Sequence, residues 1–148
     1  MKWIRVALIL SAVSFLNAAA NDFNGTWKAV FIGPEGERPK MVSEMVFNFK
    51  VDGSKVTGMA HMAAWPGDAE ISDGKIDGNR ITFTVIGKRP WTAGSGGVVT
   101  TSGYPKLVFA GTLKGGEMDL KLNWGSILTT GEHRSGPQLD MSAKRTSE

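Results

Sequence analysis

The stretch Asn21–Phe31, NDFNGTWKAVF, decides how this chain is read. It opens the first extended segment with Gly25-Thr26-Trp27, directly after an apolar leader. What lies on either side of it sets the class of protein.

Upstream, the chain begins MKWIRVALILSAVSFLNAAAN. Lys2 and Arg5 give a positive start. Val6 to Leu16 is apolar apart from two serines, and Ala18-Ala19-Ala20 offers the small-residue pattern of a cleavage site. This is the layout of a secretory signal peptide, and the apolar run is too short for a stable membrane span. Residues 1–20 are expected to be removed, leaving residues 21–148 as a single β domain. The 17 Lys and Arg against 14 Asp and Glu give +3 overall. Two of those cations sit in the leader, so the remaining domain is close to neutral. It lacks the clustered basic face of a nucleic-acid binder. The chain has no cysteine, so neither disulfides nor a thiolate metal site hold it together. An exported, cysteine-free domain of this size suits a bacterial periplasm or the extracellular medium, with no membrane insertion after processing.

Downstream, short runs of Val, Ile, Phe, Thr and Met alternate with Gly-rich turn signals. The run SEMVFNFKV puts Met45, Phe47, Phe49 and Val51 on one face, a period of two with one side buried. Asp52-Gly53 supplies a hairpin turn, and Val56, Gly58, Ala60 and Met62 line one side of the next strand. AAWPGD reads as a loop. AEISDGKIDGN carries two Asp-Gly steps ahead of a strand with Ile81, Phe83 and Val85 on one face. KRPWTAGSGG reads as the longest loop-like stretch, with a short extended piece at Val98–Thr101. A hairpin around Gly115-Gly116 follows, then a second long loop, GSILTTGEHRSGP, and a last strand, QLDMSAKR. About eight strands joined mostly by hairpins predict an all-β, antiparallel up-and-down barrel, with a two-sheet sandwich as the alternative. Closure is favoured because it removes exposed edges.

With the strands laid out, a resemblance becomes visible. Gly25-Thr26-Trp27 resembles the Gly-x-Trp signature of the calycin barrels, which include lipocalins and avidins. The resemblance implies that Trp27 plugs the closed end of the barrel, with Arg145 or Lys144 from the final strand packed over it. It runs on through DGSKVTG, ITFTVIGKR, VFAGTLKGG and LNWGSILTTG, whose Phe83, Phe109 and Trp124 stand where avidins carry ligand-stacking aromatics. The chain departs from avidins at the polar positions. Ala29 stands where avidins contact the biotin ureido oxygen, and Ala60 and Met62 stand near the third-strand donors. An unpaired buried polar head would cost roughly 1–3 kcal/mol per group, so tight biotin binding is not expected. The sequence also resembles short secreted bacterial β-domains without an assigned activity.

The aromatics of the loops are the leading candidates for a site. Trp65 precedes Pro66, Trp91 follows Pro90, and Tyr104 precedes Pro105; such rings often line the mouth of a barrel. Lys88 and Arg89 beside Trp91 could hold an anionic or sugar-like group. The expected ligand-binding set is Trp65, Phe83, Arg89, Trp91, Tyr104, Phe109 and Trp124, and the expected closure set is Gly25, Trp27 and Arg145. The ligand would be a small apolar or amphipathic molecule, bound without catalysis and without a cofactor. Two alternatives stand beside this. One is a filled-core structural or glycan- or protein-interaction module. The other is a barrel hydrolase or cyclase using a carboxylate, for which Glu44, Glu70, Asp119 and Asp140 are available. His61 and His133 lack a third partner for zinc. The acidic run from Asp68 to Asn79 has the chemistry of turns rather than of a calcium loop.

Overall fold

Two ladders turn the sheet into a barrel. The structure, a computed structural model, describes residues 22–31, 44–62 and 67–146. The leader, the loop at residues 33–40 and Trp65 lie outside them. The strands are β1 (Gly25–Phe31), β2 (Glu44–Asp52), β3 (Lys55–Met62), β4 (Ala69–Asp77), β5 (Arg80–Ile86), β6 (Trp91–Ser95), β7 (Val98–Lys114), β8 (Glu117–Leu128) and β9 (His133–Arg145). Neighbours in sequence pair antiparallel, except β5 and β6, which both pair with β7. β1 then pairs β9 from Trp27↔Arg145 to Phe31↔Met141, and β5 pairs β7 from Arg80↔Thr112 to Ile86↔Lys106. The result is a closed eight-stranded antiparallel up-and-down barrel, with β6 as a ninth strand outside it. Closure rules out the two-sheet sandwich.

Alternation fills the interior. Phe47, Phe49, Phe83 and Phe109 point inward, each at most 1% exposed. Phe83 and Phe109 stack with centroids 4.7 Å apart, and Phe47 meets both edge-on at 5.1 Å. Aromatic pairs of this kind contribute about 0.5–1.5 kcal/mol each beyond their burial. Leu107, Leu120, Leu122, Met118 and Ile81 occupy further inward positions, all at most 1% exposed. At Gly111 an added Cβ would lie 2.8 Å from the Leu120 side chain and 2.9 Å from Ile81. That glycine is small because the core leaves no room there. Ala29, Ala60 and Met62 are buried in the same apolar interior.

The closed end carries three two-residue turns and the plug. Hairpin loops begin at Gly53, Gly78 and Gly115, with φ of 61°, 59° and 61°. A first loop residue at positive φ matches the right-handed twist of the strands it joins. Trp27, 1% exposed, donates from Nε1 to the Phe23 carbonyl at 2.9 Å. The Arg145 guanidinium lies 5.2 Å from the Trp27 ring centroid and donates to the Asp22 carbonyl. Gly25, with φ of 114°, turns the incoming chain into β1.

Three segments differ from the sequence reading, and each has a physical reason. The first Asp-Gly step is not a turn. Asp73, with φ of 52°, and Gly74 form an irregularity inside β4, where the ladders to β3 and β5 both shift register. The inward residues Ile71 and Ile76 are five apart, an odd spacing that period-two alternation permits only with an extra residue. KRPWTAGSGG is not all loop: β6 pairs β7 from Trp91↔Gly103 to Ser95↔Val98. Likewise GSILTTGEHRSGP contains the end of β8 and the start of β9, paired from Gly125↔Ser135 to Ile127↔His133. Gly- and Ser-rich composition hides these strands because they lie beyond the core and have little apolar surface to alternate.

Candidate functional site

The site follows from unequal strand lengths. β1 to β5 run for seven to nine residues, while β7 has 17, β8 has 12 and β9 has 13. The longer strands rise past the open end of the barrel as a ribbon in the order β6-β7-β8-β9. Its inner face continues the inward face of the barrel wall. There the sequence places Trp91, Gly103, Pro105, Trp124, Ser126 and Arg134, joined by the cross-strand pairs Trp91↔Gly103, Pro105↔Ser126 and Ser126↔Arg134.

A groove of about 370 Å³ opens on that face, lined by Trp91, Pro105, Trp124, Ser126, Arg134 and Gly136 with their neighbours. Both indoles are half-buried. Trp124 also packs against the core, so its ring is at once a cover for the barrel and the floor of the groove. A bulge aims it. The β8–β9 ladder shifts between Asn123 and Gly125, so Gly136 and Pro137 together stand opposite Trp124. Bulges redirect a side chain at the rim of a sheet, and Pro137, without an N–H, is tolerated at such a break. At Gly136 an added Cβ would sit 2.2 Å from the Trp124 carbonyl oxygen, so only glycine permits this close approach.

The sequence-predicted residues divide. Trp91 and Trp124 are brought together. Phe83 and Phe109 stack in the filled core beneath the groove, 1% and 0% exposed. Tyr104 is 39% exposed and does not line the groove; it is paired with Ile127 next to the outward Lys106. Arg89 is exposed on the connection between β5 and β6. Trp65 lies outside the described residues. Pro105, Ser126, Arg134 and Gly136 were not picked out from the sequence. The available signal was Pro105 itself, which ends the run Gly103-Tyr104-Pro105 just before the apolar alternation of Leu107 and Phe109.

Other candidate chemistry does not assemble. A larger depression of about 690 Å³ lies on the outer wall of β2 to β4, lined by Val46, Asn48, Met59, His61, Asp68 and Glu70 among others. Among the described residues it holds no Phe, Tyr or Trp, and its ion pair, His61 Nδ1 to Asp68 Oδ1 at 2.8 Å, is more than half exposed on both sides. His133 Nδ1 faces Lys106 Nζ at 3.0 Å on the outer surface. Among the described residues no three His, Cys, Asp or Glu side chains converge as a metal site. Every described Asp and Glu is exposed, including Glu44, Glu70, Asp119 and Asp140. The buried carboxylate that barrel acid–base chemistry would use is absent among the described residues. Comparison with known proteins returns no matching family, no matching curated protein and no matching solved structure.

Proposed function

We propose that this chain is an exported, non-enzymatic binding protein whose ligand, a small and largely apolar or amphipathic molecule, lies on the rim groove rather than inside the barrel. One observation carries the reading. Trp91 and Trp124, from strands distant in sequence, line one groove directly above a core occupied by the buried rings of Phe47, Phe83 and Phe109. Solvent-facing indoles at a concave rim lose water favourably when a flat apolar surface covers them. The groove covers one side of a ligand, so affinity is expected to be modest, in the range of roughly micromolar to millimolar. The calycin-like character of the barrel, with its plugged base, is part of the same proposal. The apolar leader supports the exported address.

The test is a titration with 1-anilinonaphthalene-8-sulfonate, whose emission rises in an apolar site. Saturable binding is expected, and Trp124→Ala is expected to weaken it at least fivefold while the far-ultraviolet β signal stays unchanged. Absence of saturable binding for this probe and for a panel of apolar molecules would overturn the proposal. The filled interior equally supports recognition of a glycan by the same two rings. In that case neutral oligosaccharides, not the apolar panel, would perturb the tryptophan emission.

A further inference from the structure

We infer that the rim groove selects an aromatic or conjugated acid, with Arg134 as the residue that reads its anionic group; this rests on the groove reading above. The placement of Arg134 is the first reason. It enters the groove from β9 opposite Ser126, on the face that carries Trp91 and Trp124. A planar guanidinium beside an aromatic shelf pairs with a carboxylate through a two-pronged hydrogen bond while the ligand's flat body lies on the indoles. Among the described residues the acid paired with it is Glu132, whose Oε1 is 3.5 Å from Arg134 Nε. Both side chains are more than half exposed, at 55% and 61%. A surface contact of that length is weak, so a ligand carboxylate can compete for the guanidinium.

The charge around the groove is the second reason. The ribbon and its connections, residues 86–106 and 123–139, carry Lys88, Arg89, Lys106 and Arg134 against Glu132 alone. Acids and bases nearly balance over the rest of residues 21–148, 13 against 11, so the excess of positive charge falls on the ribbon. An anion approaching the groove is attracted, and a cation is repelled. The hydroxyl of Ser126, on the same face as Arg134, borders the groove and offers a donor to a second oxygen. Apolar shelf, cation and short hydroxyl together describe an amphipathic acid better than they describe a neutral hydrocarbon.

The experiment compares two probes of the same shape. Fluorine NMR follows 4-(trifluoromethyl)benzoate, an anion at neutral pH, and 4-(trifluoromethyl)benzamide, its neutral counterpart, on titration with the protein. The benzoate is expected to bind roughly threefold to tenfold more tightly. Arg134→Gln should bring the two probes to equal affinity without weakening the benzamide, and Arg134→Lys should keep part of the preference. A roughly tenfold rise in salt should shrink the preference in the native protein, because the contact is exposed. Trp124→Ala should weaken both probes together. Equal binding of both probes, or a benzoate preference that survives Arg134→Gln, would overturn the anion reading and leave the groove standing. Failure of both probes to bind would overturn the groove reading and this one with it.

Discussion

The two ends of the barrel use tryptophan in opposite ways. At the base, Trp27 is 1% exposed, its N–H satisfied by the Phe23 carbonyl and its ring covered by Arg145. At the rim, Trp91 and Trp124 are half-buried and border an open groove. All three sit on the inward face of a strand, so alternation alone does not separate them. What separates them is how many strands surround each ring. Around Trp27 the sheet closes, with β2 on one side and β9 on the other. Around Trp91, among the described residues, only the ribbon remains, because β1 to β5 have already ended. A ring enclosed on all sides supports stability, whereas one covered on a single face is left free to bind.

The largest expected effect breaks the comparison at the base. Trp27→Ala should destabilise the domain by about 3–5 kcal/mol, the usual cost of emptying a large aromatic site, read from the midpoint of urea unfolding. Trp27→Phe should cost less, because part of the volume is kept while the hydrogen bond to Phe23 is lost. A Trp27→Ala protein with native stability would mean that the base is not held by its plug. Arg145→Gln is the next step down. It removes a cation over the ring and a donor to the Asp22 carbonyl, and should cost about 1 kcal/mol. Because Arg145 is exposed, the guanidinium contact should weaken as ionic strength rises, so the difference from native should narrow at high salt.

How much of this was legible beforehand differs between the same two ends. The base was readable: Gly25-Thr26-Trp27, the alternation of Phe47 with Phe49, and the Gly53 and Gly115 turns are local signals of strands that bury one face. The barrel class followed from them. β4 was not readable as a strand, because Asp73-Gly74 and Asp77-Gly78 look alike in sequence while one bends a strand and the other ends it. The rim was only partly readable. Trp91 and Trp124 stood out as aromatics, but their meeting depends on the register of three ladders. Arg134 lay in a Gly- and Ser-rich stretch, and nothing local showed it to be on a strand. Phe83 and Phe109 showed the converse. Their residue types suited a ligand site, yet the short span of an eight-stranded barrel leaves its centre filled by side chains.

The smallest stability effect is expected where the ligand effect is largest, and this sharpens the contrast most. Trp91 belongs to the five-residue β6, whose residues after Trp91 are all exposed. Trp91→Ala removes a ring that is covered on one face only, so unfolding should move by less than about 1 kcal/mol. The β6–β7 backbone pairing does not depend on the side chain, and Gly103 opposite has no side chain to pack against it. Binding of an aromatic probe should nevertheless fall at least severalfold, because half the shelf has gone. Measured side by side with Trp27→Ala, the pair forms a crossed result, with stability lost at the base and binding lost at the rim. If Trp91→Ala instead unfolded the protein as readily as Trp27→Ala, the ribbon would be part of the folding core, and its indoles would be packing rather than a binding surface.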